Sequence, residues 1–169
     1  MSKMKLSVAF GNYDRTRALI DGRTQIDGVD PAFMTLTPEE MFFRAFRHID
    51  FDVSELSLAS YVVSIANCNN EYTALPIFLS RAFRHSSIYV TRSSGINEPK
   101  ELRSKRIGIA EYQLTANVWA RALLEDDYGV KPSEIIWVRG GMDSPMRPEK
   151  LKLSLPPDIK VEAVDEGET

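Results

Sequence analysis

Lys105-Arg-Ile-Gly-Ile-Ala-Glu-Tyr-Gln-Leu-Thr-Ala-Asn-Val-Trp-Ala-Arg-Ala-Leu-Leu124 decides the reading of the fold. Ile107 to Ala110 is a short apolar run of strand type. Glu111, Tyr112 and Gln113 form a polar turn, and an amphipathic helix follows at once, ended by Gly129. A strand that feeds a helix in this way aims backbone N–H groups, and the positive end of a helix dipole, at whatever lies beyond the strand. In open α/β sheets that is the end where ligands bind. The segment therefore reads as one wall of a site for a small anion.

Upstream, the same alternation recurs. Leu6 to Phe10, Val29 to Leu36, Phe51 to Ser54, Ala74 to Leu79 and Ser86 to Thr91 read as strands. Arg15 to Ile20 reads as one or two helical turns. Thr37-Pro38-Glu39-Glu40 is a helix start with Thr as N-cap and Pro at the first helical position, and Met41, Phe42, Ala45 and Phe46 form its inward face. Ser57 to Asn67 is helical, with Leu58, Tyr61, Val62 and Ile65 expected to face inward and Ser54 favoured as the cap. Downstream, Ile135 to Val138 and Ile159 to Val164 are strands, and Met142 to Pro157, with four prolines, is a loop.

Alternating strands and helices imply an α/β chain with mainly parallel sheets. Two such sheets are expected: a first α/β lobe over 1–91, a crossover over 92–105, and a partial second lobe over 106–169. The second lobe has too few strands to bury both faces of its sheet. A further helix is expected after Val164, so the chain reads as a shortened version of a longer protein. Uncovered apolar surface would favour self-association into a homo-oligomer, or aggregation.

Composition narrows the function classes. Hydrophobic residues make up 43% and charged residues 27% of 169, as in a soluble globular protein. A net charge of -3 argues against nucleic acid as partner. No apolar run reaches the ~18 residues of a membrane span. The apolar stretch near the N-terminus is interrupted by Asn12 to Arg15 too early for a secretory leader, so cytoplasmic residence is expected. The single cysteine, Cys68, excludes an intrachain disulfide and reads as a small packing residue. The two histidines, His48 and His85, lie 37 positions apart outside any metal-binding spacing, so no metal is expected.

Pro99-Lys-Glu-Leu-Arg-Ser-Lys-Arg-Ile-Gly-Ile109 resembles the lobe-crossing segment of type 2 periplasmic binding proteins, with Glu101 at the acidic position and Ser104 where that segment usually has glycine. Four stretches add a narrower likeness: Pro38 to Phe46, Phe51 to Ser57, Leu75 to His85 and Ala110 to Trp119. Together they resemble the 4,5-dihydroxyphthalate decarboxylase group, relatives of solute-binding proteins whose members run to about twice this length. The resemblance implies a type 2 periplasmic-binding-protein-like fold with an incomplete second lobe, non-oxidative removal of CO2 from a hydroxylated aromatic dicarboxylate, and no organic or metal cofactor. It implies a small aromatic or organic carboxylate as partner, bound between the lobes.

That chemistry needs an acceptor for a phenol proton, an acid near the ring, and cations for two carboxylates. Arg81, Arg84 and His85 lie where the fourth strand is expected to end. Guanidinium groups grip carboxylates in a forked manner, and a histidine can donate a proton near neutrality. The plain alternative is a solvated basic turn. Glu55 is the candidate proton acceptor, with a first-turn helical glutamate as the plain reading, and Ser57 accompanies it. Asn12, Tyr13, Asp14 and Arg15 follow the first strand in the same manner, and Asp14 fits a helix cap equally well. Tyr112, Gln113 and Thr115 open the long helix, whereas Trp119 reads as core. Arg139, before Gly140 and Gly141, follows the next strand. His48 reads as a surface residue at a helix C-terminus. His85 and Glu55 are thus the catalytic candidates. A non-catalytic solute-binding protein for a small organic anion is the alternative, and a detached ligand-sensing domain is a third reading without a helix-turn-helix to support it.

Overall fold

The computed structural model describes residues 2–141 and 149–164. The first half of the expected loop over 142–157 and the chain end after Val164 lie outside the described residues. The chain divides into two compact units, Met1–Ala82 and Phe83–Thr169.

The first unit is built on a three-stranded parallel sheet in the order β2-β1-β3, with β1 Met4–Phe10, β2 Val29–Thr35 and β3 Val53–Ser54. Pro31 is tolerated because β2 is an edge strand. Helices α1 (Arg17–Ile20), α2 (Pro38–His48) and α3 (Leu58–Ala66) complete the unit. Thr37 caps α2 as the sequence predicts, its side chain accepting the Glu40 N–H at 3.4 Å. Met41 and Ala45 are buried against Ala9 and Phe51.

The second unit has its own parallel sheet, order β4-β5-β6, from Arg106–Ile109, Ile136–Arg139 and Lys160–Ala163. Helix α4, Thr115–Tyr128, packs Leu124 into a core with Leu102, Val130, Ile135 and Trp137. It ends at Gly129, whose φ of 67° is the left-handed conformation that glycine adopts without strain.

Four expectations are corrected. Ala74–Leu79 and Ser86–Thr91 are not strands: around Pro76 the Ile77 N–H turns back to the Leu75 carbonyl at 2.7 Å, and His85–Ser87 is a 3-10 turn. A strand is completed by its neighbour's hydrogen bonds, and neither segment has joined a ladder. Helix α3 is turned over relative to its pattern. Ser57, Ser60 and Ser64 are buried, while Leu58, Val62 and Ile65 are about half exposed. The serine hydroxyls are paired locally, Ser60 Oγ to Ser57 Oγ (3.2 Å) and Ser64 Oγ to the Tyr61 carbonyl (2.7 Å), which lowers the cost of burying that face. The cap of α3 is Ser57, whose side chain accepts the Ser60 N–H, not Ser54, whose hydroxyl donates to the Glu55 carbonyl. Cys68 is exposed rather than packed, in a left-handed conformation (φ 53°) just past α3.

Candidate functional site

The strand-end corner of the first unit is assembled from β1, β3 and the turns that follow them. Gly11 follows β1, and the Tyr13 N–H returns to its carbonyl at 3.0 Å. The buried Thr16 hydroxyl donates to the Gly11 carbonyl (3.0 Å) and accepts the Tyr13 N–H (3.1 Å), which fixes the turn. Glu55 is brought alongside by its own N–H, bonded to the Ala9 carbonyl at 2.8 Å. Its carboxylate then accepts twice, from the Gly11 N–H (3.0 Å) and from the Tyr13 hydroxyl (2.9 Å).

The Tyr13 ring folds over Gly11 so closely that a Cβ there would lie 2.4 Å from it. A side chain at this position would push the Tyr13 ring aside, and with it the hydroxyl that Glu55 accepts. Burial, and then the Glu55 hydrogen bond, push the Tyr13 hydroxyl above its ordinary pKa, while the nearby Ser80 hydroxyl pulls the other way. The Arg15 guanidinium lies 5.0 Å from the Tyr13 ring centre and pairs with Asp14 at 3.1 Å. Asn12 Oδ1 accepts from Arg17 at 3.0 Å. Among the sequence candidates, Asn12, Arg15, Glu55 and Ser57 therefore follow adjacent strands, β1 and β3. Arg81 is exposed directly after Ser80.

The corresponding corner of the second unit is filled by its own side chains. Glu111 and Lys150 form an ion pair of 2.6 Å with both side chains essentially inaccessible to solvent. Glu111 also accepts the Gln113 amide at 2.6 Å, and its carbonyl accepts from Asn117 at 2.7 Å. Arg121 stacks 3.7 Å from the Tyr112 ring centre and donates to the Tyr112 carbonyl at 2.8 Å. Burial raises the Tyr112 hydroxyl and lowers the Arg121 guanidinium relative to their ordinary values. Tyr112 and Gln113 are buried here, and Thr115 opens α4 beside them. Arg139 pairs with Glu149 at 3.5 Å.

His85 is not part of this corner. Its Nε2 lies 3.2 Å from Asp127, in the last turn of α4, and Phe83 stacks on its ring. Asp127 lies twelve positions along the helix from Thr115, about 18 Å at 1.5 Å per residue. Arg84 immediately precedes His85. His48 ends α2 exposed, as expected, edge-on to Phe43. Trp119 is 54% exposed and so is not core.

Sequence reasoning missed Lys150, Glu111, Arg121 and Thr16. Lys150 sits in a proline-rich stretch without periodicity, and nothing local marks it. Glu111 had a usable signal, since it lies two residues past the end of β4. Flanking β4, a mostly apolar cavity of about 360 Å³ is lined by Ile88, Val90, Ile107, Asn117 and Leu124, with Lys105 and Arg106 also contributing. Such a volume suits a small molecule. Among the described residues, no three His, Cys, Asp or Glu side chains gather as metal ligands would, and no helix is long and apolar enough to cross a membrane.

These features define an α/β protein with two parallel sheets and polar clusters at strand ends. No family model matches the chain. It is similar over all 169 residues to two curated proteins named 4,5-dihydroxyphthalate decarboxylase. The one from Comamonas testosteroni is 59% identical and that from Pseudomonas putida 56%. The chain spans 51% of the first relative's length and 66% of the second's.

Proposed function

We propose that this chain belongs to a non-oxidative decarboxylase of a hydroxylated aromatic dicarboxylate, of the type that turns 4,5-dihydroxyphthalate into protocatechuate. The observation that carries the reading is identity of 56–59% across the whole chain to proteins of that name. We further propose the type 2 periplasmic-binding-protein-like fold. Two α/β units with parallel sheets support it, as does the left-handed Ser104 (φ 60°) where the resembling segment usually has glycine.

In 4,5-dihydroxyphthalate each carboxylate lies para to a hydroxyl. A base accepts the hydroxyl proton, and electron density moves to the carbon bearing the carboxylate. An acid protonates that carbon, the bond to the carboxylate breaks, and CO2 leaves. The bond's electron pair restores the ring, the phenolate regains a proton, and the acid is recharged from solvent. Glu55 fits the acceptor role because its carboxylate already receives a phenolic hydroxyl, that of Tyr13. Arg15 and Arg81 are the cations this reading assigns to the carboxylates, with Asn12 and Ser57 as polar contacts. His85, held by Asp127, is its proton donor. Arg84, beside His85, is a further candidate contact; Tyr112, Gln113 and Thr115, about 18 Å along α4 from Asp127, and Arg139, paired with Glu149, are candidates only for a site that His85 does not share.

Incubation with 4,5-dihydroxyphthalate, following CO2 and protocatechuate, tests the activity. Turnover that disappears in Glu55→Gln, and disappears in His85→Ala while binding persists, supports the assignment. Tight binding without CO2 release would point instead to a carrier of organic anions, and normal turnover in both variants would remove the two residues from the mechanism.

A further inference from the structure

The cavity beside β4 has no part in the chemistry proposed above. It lies wholly within the second unit, between β4, α4 and the segment from Ser87 to Ile96. Trp137, which is buried and stands opposite Ile107 in the β4–β5 ladder, forms part of its wall, and Leu124 of α4 another part. One distinguishing feature is Gly108, inside β4. A Cβ at Gly108 would meet no other atom within 4 Å, and the residue is not left-handed. Neither crowding nor backbone conformation calls for glycine there, although glycine weakens a strand. Such a glycine often marks the close approach of a ligand or of another backbone. β4 is also an edge strand. The Ile136 N–H bonds to the Lys105 carbonyl, and the Gly140 N–H to the Ile109 carbonyl, each at 3.0 Å. Lys105, Ile107 and Ile109 therefore turn their backbone groups to β5. The alternate Gly108 N–H points to the free edge, with no side chain of its own to cover it.

Charge is the other feature. Lys105 and Arg106 belong to the lining, and among the described residues no acidic side chain does. Their acidic neighbours lie outside it. Arg106 meets Glu162 at 3.2 Å with the two side chains 66% and 49% exposed, and Glu101 is within electrostatic reach of Lys105. An ion pair so exposed contributes little and is readily given up to a ligand. An apolar hollow with a few polar groups at one side is the usual form of a small-molecule site. We infer that this cavity binds a small apolar monocarboxylate. Its hydrocarbon body lies against Trp137, Ile107 and Leu124. Its carboxylate lies at the Lys105–Gly108 edge, where the Gly108 N–H and the two cations are the donors. The inference concerns binding within the second unit and does not depend on turnover.

The probe is 2-naphthoate, with 2-naphthylmethanol as its uncharged counterpart. The chain has two tryptophans, so in a Trp119→Phe background the emission of Trp137 alone reports on the cavity. Titration of the full chain with 2-naphthoate should change that emission to a one-to-one end point, and calorimetry should return the same Kd. Gly108→Leu, whose side chain has open space to enter, should weaken 2-naphthoate at least tenfold without lowering the melting temperature. Ala120→Leu fills the cavity from α4 and should act in the same direction, so that either variant decides if the other fails to fold. Lys105→Gln combined with Arg106→Gln should weaken 2-naphthoate at least fivefold and leave 2-naphthylmethanol within twofold of the parent. Val62→Asp, on the exposed side of α3 in the other unit, should change neither probe. Absence of one-to-one binding, or binding undiminished in the cavity-filling variants, would overturn the inference. So would equal affinity of the parent for acid and alcohol, or a loss in Val62→Asp that marks general adsorption to apolar surface.

Discussion

Single positions show how backbone demands are met without the residue best suited to them. Ser104 has a φ of 60°, its N–H donating to the Glu134 carbonyl at 2.6 Å. An L residue with a side chain is strained there, and glycine is not. Ser104→Gly should therefore raise stability by about 0.5–1 kcal/mol, read as a higher urea midpoint with an unchanged slope. The Asp52 carboxylate accepts both the N–H and the hydroxyl of Ser7 at 2.7 Å. Those bonds hold its pKa below the usual carboxylate value. A depressed folded-state pKa gives stability that is present above the unfolded value, near 4, and lost as pH falls through the folded one. Asp52→Asn should thus flatten the acid limb of the stability–pH curve and leave its shape above pH 6 unaltered. An acid limb as steep as the parent's would show that the Ser7 contacts do not carry this dependence.

At the level of elements, what the sequence made legible was whatever local chemistry alone enforces. Thr37-Pro38 starts α2, Gly129 ends α4, and the strand–turn–helix unit from Arg106 to Tyr128 forms as its pattern requires. Two other helices end by the same left-handed route without glycine. After α3, Cys68 N–H bonds to the Ile65 carbonyl and Asn69 N–H to the Ser64 carbonyl, each at 3.0 Å, with Cys68 at φ 53°. After α2, Ile49 takes φ 55° and bonds to the Ala45 carbonyl at 3.2 Å. A β-branched residue there is a marked outlier, and no sequence signal announces it. Ile49→Gly should stabilise by about 0.5–1 kcal/mol, the left-handed strain relieved outweighing the contacts of a half-exposed side chain. A fall in melting temperature would mean that those contacts dominate. The strands expected at Ala74–Leu79 and Ser86–Thr91 mark the limit of such reading. Composition can propose a strand, but its ladder depends on a neighbour elsewhere in the chain. The serine stripe of α3 failed for a related reason. Hydropathy ranks Leu58 above Ser60, yet small hydrogen-bonded side chains sit on the buried side.

For the molecule as a whole, the placement of the candidate residues was legible where position after a strand sufficed and illegible where distant segments meet. Asn12, Arg15 and Glu55 follow strands of one sheet, so topology alone placed them. Lys150 reaches Glu111 across 39 positions of sequence, and only folding brings them together. That pair ties the segment around Lys150 to the β4–α4 corner, where Gln113 also depends on Glu111. Both partners are withdrawn from water, so their mutual attraction largely offsets a desolvation cost that neither would bear alone. Removing one charge should consequently be far worse than removing both. Lys150→Met should destabilise by about 3–5 kcal/mol, with Glu111→Gln of similar order. Their combination should cost less than the sum, a coupling of about 2–3 kcal/mol in a double-mutant cycle measured by urea denaturation at pH 7. Additive losses would mean that the two groups are stabilised separately by their surroundings, and the 2.6 Å contact would then not be what anchors the segment.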